Sequence, residues 1–180
     1  MKKSVILVLV ALICVSTVFA ADNSVKVSAV PVGFQISTSS ADGAAAVKSR
    51  YGLGLEAAYQ RTLVKGLYAE AGLAWHTFLM KDNKPAFTNL LVFAGMGYKY
   101  AFNDKWAGSA SLDLGADTLF YNGKVSETFT LVTGLDASYA VKDNLEVLFG
   151  LKGSFGFAKK DSVKYVNYRI LPVLGVSVNF

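Results

Sequence analysis

Hydrophobic and polar residues alternate along most of the chain between residues 24 and 180. In the fifth such stretch, Leu112 and Leu114 share one face, while Ser111 and Asp113 share the other. Hydrophobic residues at every second position would encircle a helix, whereas they form one face of a β-strand. The pattern therefore predicts β-strands throughout this region.

Turn signals divide the region into eight strands. One series of short turns contains Lys65-Gly66, Asn103-Asp104 and Asp143-Asn144, and a second series at 38–49, 80–86, 121–124 and 158–164 lies between them. In the second series, Asn122-Gly123 favours a type I′ hairpin. The predicted strands are 24–37, 50–62, 67–79, 87–102, 106–120, 125–141, 145–157 and 165–180. Strands joined in this way predict an all-β fold, an eight-stranded antiparallel up-and-down barrel.

The composition of the two faces indicates what surrounds the barrel. The polar face is rich in Gly, Ala and Ser, which suit a crowded lumen, and the other face carries large Leu, Val and Phe side chains. Aromatic residues lie near the strand ends at the short turns, namely Tyr59, Tyr98, Tyr100, Trp106 and Tyr139. An aromatic girdle, together with strands longer than the roughly 9 to 11 residues needed to cross a bilayer, predicts a transmembrane β-barrel. A soluble lipocalin-like barrel is the alternative, although its outer face would carry long Lys, Glu and Gln side chains.

Composition and charge agree with one folded domain. The chain has 180 residues, of which 53% are hydrophobic and only 17% are charged, and its mean hydropathy is +0.38. Such a composition excludes intrinsic disorder and suits a protein whose apolar surface faces something other than water.

The segment 1–20 has the pattern of a secretory signal peptide. Two lysines precede an apolar stretch, and small residues stand just before the expected cleavage site between Ala20 and Ala21. The stretch is short for a transmembrane anchor, which needs roughly 20 apolar residues. We therefore expect 21–180 to form the barrel domain. Because the single cysteine, Cys14, lies in the leader, the mature chain would contain neither a disulfide nor a thiolate metal site.

With these features the chain resembles the small eight-stranded outer-membrane β-barrels of Gram-negative-type bacteria, the group that includes OmpX and the transmembrane domain of OmpA. Its C-terminus is the most specific element: Gly175, Val178 and the terminal Phe180 resemble the assembly signal that the outer-membrane insertion machinery reads. Val173 stands where that family usually has a polar residue. The resemblance implies a location in the outer membrane, with the N-terminus and the short turns in the periplasm and the other loops outside. The implied partners are outer-membrane lipid and the insertion machinery.

Charged residues on the polar face define a candidate site inside the barrel. An eight-stranded barrel has room for side chains to fill its interior but not for a wide channel. We therefore expect a packed network of ion pairs, with a narrow, mildly cation-preferring channel as the alternative. The predicted members are Glu56, Glu70, Lys99, Asp113, Asp117, Asp136, Glu146, Lys152 and Arg169.

Expected hairpin registers suggest partners within this network. Folding the third and fourth strands about 80–86 would place Lys99 diagonally beside Glu70, within reach of a long side chain. Folding the seventh and eighth strands about 158–164 would bring Lys152 close to Arg169, and both cations would then need acids from across the lumen. The candidate acids are Glu56 and Asp113.

The loops opposite the short turns carry an excess of basic residues. The basic residues are Lys48, Arg50, Lys81, Lys84, Lys124, Lys159, Lys160 and Lys164, and the acidic ones are Asp42, Asp82, Glu127 and Asp161. Such an excess could attract anionic lipid headgroups, glycans or a host surface, and a merely solvated rim is the alternative. Nucleic acid is not an expected partner, because a secreted chain without a recognition motif offers no site for it.

Residues that could support catalysis or hold a cofactor are few. His76, the only histidine, lies on the polar face of the third strand with no serine close by in sequence, whereas a general base needs a nucleophile within reach. The glycines at 52–54 and 95–97 precede no helix pattern, so they do not form phosphate loops. One histidine and no cysteine in the mature chain also argue against a transition-metal site. We expect no cofactor, no metal and no catalytic activity.

Taken together, these patterns predict a monomeric outer-membrane β-barrel with a structural or surface-interaction role. Two alternatives remain at this point. One is a narrow channel, or a path for small or apolar solutes across the outer membrane. The other is a secreted soluble barrel that binds a ligand.

Overall fold

A computed structural model describes residues 23–39, 48–79, 85–121, 124–160 and 163–180. These residues form eight strands, and none of them belongs to a helix long and apolar enough to cross a membrane. The strands are β1 (Asn23–Ser39), β2 (Lys48–Val64), β3 (Leu67–Leu79), β4 (Pro85–Ala101), β5 (Trp106–Tyr121), β6 (Lys124–Lys142), β7 (Leu145–Lys160) and β8 (Val163–Asn179). Each predicted strand overlaps one of them. The expected signal peptide, its cleavage site at Ala20 and Ala21, and the Asn122-Gly123 turn lie outside the described residues.

The strands close into a barrel in which each strand pairs antiparallel with its neighbours in sequence, and β8 pairs with β1. The predicted eight-stranded antiparallel up-and-down barrel is thus confirmed. One end of the barrel carries the β2–β3, β4–β5 and β6–β7 turns, and we call it the turn end; the opposite end is the far end. At the turn end, the backbones of Asn23 and Phe180 exchange two hydrogen bonds of 3.1 and 2.9 Å, which complete the β1–β8 seam.

The β2–β3 turn shows how the sequence sets the local geometry. Lys65 and Gly66 have φ angles of 31° and 87°, the left-handed conformation that both central residues of a type I′ turn require. The Gly66 carbonyl oxygen accepts a 2.7 Å hydrogen bond from the Lys99 backbone N–H. A Cβ at Gly66 would also collide with the Lys99 carbonyl oxygen, so only glycine fits here.

From one strand to the next around the barrel, paired residues lie progressively closer to the far end. A row of partners that starts at Ser24 returns to β1 at Gln35, eleven residues further along the strand. The intervening members, in strand order, are Gln60, Glu70, Gly95, Asp113, Val132, Ser154 and Arg169. This stagger tilts the strands and fixes the width of the barrel.

A β-bulge interrupts β1 at Pro31 and Val32, which together stand opposite the single residue Leu53 of β2. Both bulge residues are exposed on the outside of the barrel. Inward residues are therefore even-numbered up to Val30 and odd-numbered from Gly33 onward. Proline is tolerated at such a position because it has no N–H to contribute to the ladder.

The predicted orientation of the two faces is confirmed. Large apolar side chains lie on the outside, where for example 57% of Leu112 and 64% of Leu135 are exposed. The inside holds polar and charged side chains and two small apolar clusters. The first cluster contains Val30, Phe78, Phe87, Leu171 and Val173, and the second contains Ala58, Ala74, Leu91, Phe93 and Val132.

Candidate functional site

The nine predicted charged residues all lie on inward positions of their strands. Seven of them form ion pairs that cross the lumen, and the other two, Glu70 and Asp113, lie beside each other and accept hydrogen bonds from Gln60 and Ser111. Sequence reasoning missed Lys26, although it alternates with Val25 and Val27 and so occupies an inward position of β1. It also missed the uncharged partners Gln35, Gln60 and Asn89.

Two ion pairs fill the half of the lumen nearer the turn end. Lys99 on β4 contacts Glu146 on β7 at 2.6 Å, and Lys26 on β1 contacts Asp136 on β6 at 3.1 Å. Neither pair joins neighbouring strands, because each joins strands three positions apart around the barrel. The side chains therefore bridge the interior rather than line its wall.

Two further ion pairs continue toward the far end. Lys152 on β7 contacts Glu56 on β2, and both side chains are buried. Arg169 on β8 contacts Asp117 on β5 at 2.5 Å, with only 1% of either side chain exposed. These pairs also join strands three positions apart. Ion pairs at successive levels thus cross the described lumen.

Uncharged polar groups extend the pair formed by Arg169 and Asp117. The Arg169 Nε donates to Gln35 Oε1 at 2.7 Å, and Asn89 Nδ2 donates to Asp117 Oδ1 at 2.7 Å. The guanidinium also lies 5.6 Å from the centre of the Phe78 ring. A buried cation held by a carboxylate, an amide and an aromatic face is fixed in position.

The partner expected for Lys99 within the β3–β4 hairpin is wrong. Glu70 stands opposite Gly95, because β4 begins at Pro85, two residues earlier than expected, and the register with β3 shifts accordingly. Lys99 is therefore not the diagonal neighbour of Glu70, and it contacts Glu146 instead. Glu70 accepts a 2.8 Å hydrogen bond from Gln60.

The β7–β8 hairpin brings Lys152 and Arg169 close to each other, as expected. β7 and β8 extend to Lys160 and Val163, so Arg169 stands opposite Ser154 and lies diagonally beside Lys152, which pairs with Leu171. The two cations then reach different acids. Lys152 does contact Glu56, as expected, whereas the acid at Arg169 is Asp117 and not Asp113.

Asp113 is instead next to another acid. Glu70 and Asp113 flank Gly95 on adjacent strands, and their carboxyl groups contact each other in the space that a Gly95 side chain would fill. Ser111 donates a 3.3 Å hydrogen bond to Asp113, but Glu70 Oε1 and Asp113 Oδ1 find no donor among the described residues. The network thus contains one contact between like groups.

His76 lies inside the barrel, covering Gly54, with 1% of its surface exposed. Its ring is 6.3 Å from that of Phe78, and neither ring nitrogen has a hydrogen-bond partner among the described side chains. No serine donates to it there, and the described part of the chain holds no cluster of three or more potential metal ligands. Among the described side chains, none forms a hydrogen bond with His76 through which the imidazole could activate a nucleophile.

The turn end carries the predicted aromatic residues on its outer surface. The rings of Trp106 and Tyr139 lie 5.0 Å apart, and Tyr59 donates a 2.6 Å hydrogen bond to Asn23. Tyr98 and Tyr100 are each more than half exposed. Amphipathic rings grouped at one level are typical of a membrane–water boundary.

The residues of the expected assembly signal divide between the two faces. Val178 and Phe180 are exposed on the outside, whereas Gly175 lies inside against Ser28. Val173, at the position where the resembled family has a polar residue, is buried in the first apolar cluster.

Few of the basic residues expected at the far end have described side chains. Arg50 lies 4.9 Å from the centre of the Phe87 ring, above the first apolar cluster, and Glu127 is exposed. The other expected basic and acidic residues of this end lie outside the described residues or the described side chains.

Solved structures with a similar fold include bacterial outer-membrane proteins. Neisserial surface protein A (NspA) superposes with a TM-score of 0.64 and 19% identity, covering 88% of this chain and 97% of NspA. The outer membrane protein OprG from Pseudomonas aeruginosa gives 0.53 and 13% identity, covering 89% and 96%. The outer membrane protease OmpT from Escherichia coli gives 0.51 and 9% identity, covering 91% and 99%. No protein-family model matches the chain, and no curated protein matches its sequence.

Proposed function

We propose that the chain is an outer-membrane β-barrel with a closed lumen, which acts as a structural or surface-interaction protein and catalyses no reaction. The observation that carries the proposal is an apolar outer surface wrapped around an interior crossed by ion pairs. Large Leu, Val, Phe and aromatic side chains are between about a third and two thirds exposed all around the barrel. A surface of this kind far exceeds the apolar patches of water-soluble monomers.

A closed barrel is also the form in which strands can enter a bilayer. Every strand has two neighbours, so the backbone groups of the wall are paired without help from water. The fold shared with NspA and OprG, which are surface and outer-membrane proteins, supports the same location. Export through a signal peptide and recognition of Phe180 by the insertion machinery complete the proposed route.

The filled interior favours a closed barrel over a channel or a ligand carrier. The pairs Lys26–Asp136, Glu56–Lys152 and Asp117–Arg169 occupy the space through which a solute would pass. A soluble carrier would need an apolar cavity inside and a charged surface outside, which is the reverse of this arrangement.

The proposed location can be tested by expressing the full chain in a Gram-negative host and extracting the membranes with carbonate. We expect the protein to stay in the outer-membrane fraction and to migrate differently on gels before and after boiling, as a folded barrel does. Release by carbonate, with no heat-dependent change in migration, would support the soluble carrier instead.

The surface-interaction role depends on the basic residues of the far end. Purified barrel in detergent should bind immobilised dextran sulfate and elute with salt, because attraction between exposed charges is screened. A variant with Lys81 and Lys84 changed to Glu should elute at lower salt, and the same double change at Lys65 and Lys105 of the turn end provides the control. Equal elution of the two variants would remove the support for a far-end binding surface.

A further inference from the structure

A furrow of about 820 Å³ crosses the outer wall of the barrel from β4 to β8. One row of paired residues follows its length, since Tyr98 pairs with Ala110, Ala110 with Leu135, Leu135 with Leu151, and Leu151 with Pro172. The furrow is therefore a feature of the folded wall, to which five strands contribute.

Small residues between large ones create the furrow. Gly108, Ala110 and Ala137 form its floor on β5 and β6, and the Phe102 ring packs over Gly108. Tyr98 at one end and Phe149 at one side are larger than these residues, and both are about half exposed. The wall is thus recessed at these small residues, whereas most of the outer surface carries large side chains.

The course of the furrow matches one leaflet of a bilayer. It begins at Tyr98, near the turn end of β4, and reaches Pro172, midway along β8. Four spacings between strands correspond to about 19 Å, and the row climbs obliquely because the strands are tilted. Half of a hydrocarbon core is about 15 Å thick, so an oblique furrow of this length runs from the aromatic girdle to the middle of the membrane.

We infer that the furrow binds an acyl chain of a phospholipid from the leaflet on the turn side, an inference that rests on the proposed membrane location. The lining is mostly aliphatic and aromatic, with Ser109 and Asp136 as its two polar members. The headgroup then lies at the level of Tyr98 and Tyr100, where aromatic side chains meet the polar boundary. An elongated apolar groove that starts at that boundary and ends near the midplane suits a chain anchored by its headgroup.

Two tryptophans allow the inference to be tested, since the chain contains only Trp75 and Trp106. The Trp106 ring lies 6.1 Å from that of Phe149, which lines the furrow, whereas Trp75 is exposed on β3, away from it. Trp75→Phe and Trp106→Phe each leave one reporter. Both variants are reconstituted in phospholipid vesicles that contain increasing fractions of brominated phospholipid, which quenches tryptophan on contact.

We expect Trp106 to be quenched at several-fold lower fractions of brominated phospholipid than Trp75. In the Trp75→Phe background, Ala110→Leu fills the floor of the furrow. The fraction of brominated phospholipid needed to quench Trp106 should then rise to that needed for Trp75. Ala116→Leu, also on the outer face of β5 but away from the furrow, should leave it unchanged. Heat-dependent gel migration shows that each variant has folded.

Equal quenching of the two tryptophans without any added substitution would overturn the inference, because the furrow would then hold only exchanging bulk lipid. Protection of Trp106 together with cross-linking between barrels would also overturn it, since a second copy would occupy the furrow. If neither tryptophan is quenched, the proposed membrane location itself is wrong, so the two failures are distinguishable.

Discussion

The same chemical change at two positions of β5 should have opposite effects on stability. Asp113 and Asp117 are both inward, and 1% of each residue is exposed. Replacing either with Asn removes one negative charge while nearly preserving volume. The outcome therefore depends on what surrounds each carboxylate.

At Asp117 the lost charge is the partner of a buried cation. Arg169 contacts Asp117 at 2.5 Å and would be left with the neutral Gln35 and Asn89 amides around it. Breaking a buried ion pair by removing one partner typically costs about 3 to 5 kcal/mol. We expect Asp117→Asn to lower the free energy of unfolding by about this amount.

At Asp113 the carboxyl group contacts that of Glu70, so the two cannot both be charged without repulsion. An amide at this position can donate to Glu70 Oε1, which has no donor among the described residues. A hydrogen bond to a charged group contributes roughly 1.5 to 3 kcal/mol. We expect Asp113→Asn to raise the free energy of unfolding by about 1 to 3 kcal/mol, through this bond and the relief of repulsion.

The measurement is urea unfolding in lipid vesicles at neutral pH, followed by tryptophan fluorescence. The unfolding midpoint should rise for Asp113→Asn and fall for Asp117→Asn, with similar dependence on urea concentration. If both variants are destabilised to the same extent, the contact between Glu70 and Asp113 is not repulsive and our account of the network fails.

Three further predictions concern the wall, the C-terminus and the lumen. Leu112→Arg, on the exposed apolar face, should cost about 2 to 4 kcal/mol in the same assay, and Ser111→Asn on the inner face should cost much less; equal costs would mean that the two faces are assigned incorrectly. Deleting Phe180 should leave unfolded protein in the periplasm, and Phe180→Ala, which keeps both backbone bonds to β1, should do the same if the machinery reads the ring; normal outer-membrane levels of the Ala variant would show that the backbone bonds are what matters. The wild type should conduct little in planar bilayers, whereas Arg169→Ala should open a measurable conductance or destabilise the barrel; a large wild-type conductance that the variant leaves unchanged would favour the channel.

The fold was predictable because its signal is local and repeated. Alternation with period two decides both the secondary structure and the facing of each residue, so Glu56, Asp117 and Lys152 could be assigned to the interior from the sequence alone. Bounds within a few residues of the true ones were sufficient for that purpose.

The partners of these residues were not predictable in the same way. Moving a hairpin register by two residues leaves every side chain on its face but changes which residues stand opposite each other. That was enough to replace Glu70 by Glu146 as the partner of Lys99. Contacts across the lumen depend in addition on the stagger of all eight strands, which no single hairpin encodes.

The furrow escaped sequence reasoning for a related reason. Gly108, Ala110 and Ala137 are unremarkable positions in two separate strands. They form a floor only because the β5–β6 register places Gly108 opposite Ala137. A hollow of this kind exists only in the folded barrel, where the register brings small residues of neighbouring strands together.

The bulge in β1 allows inward residues to pair with inward residues all the way around the barrel. A row of inward residues must meet inward residues all the way around, so a barrel closes consistently only when the stagger spans an even number of residues. The row that leaves β1 at Ser24 returns at Gln35, an odd number of positions away. The extra residue at Pro31-Val32 is the one that restores the match, so that Lys26 and Gln35 both enter the lumen. An up-and-down barrel can therefore accept a single-residue insertion in one strand when a bulge turns two consecutive residues outward, because the inward positions on both sides of the bulge then keep their facing.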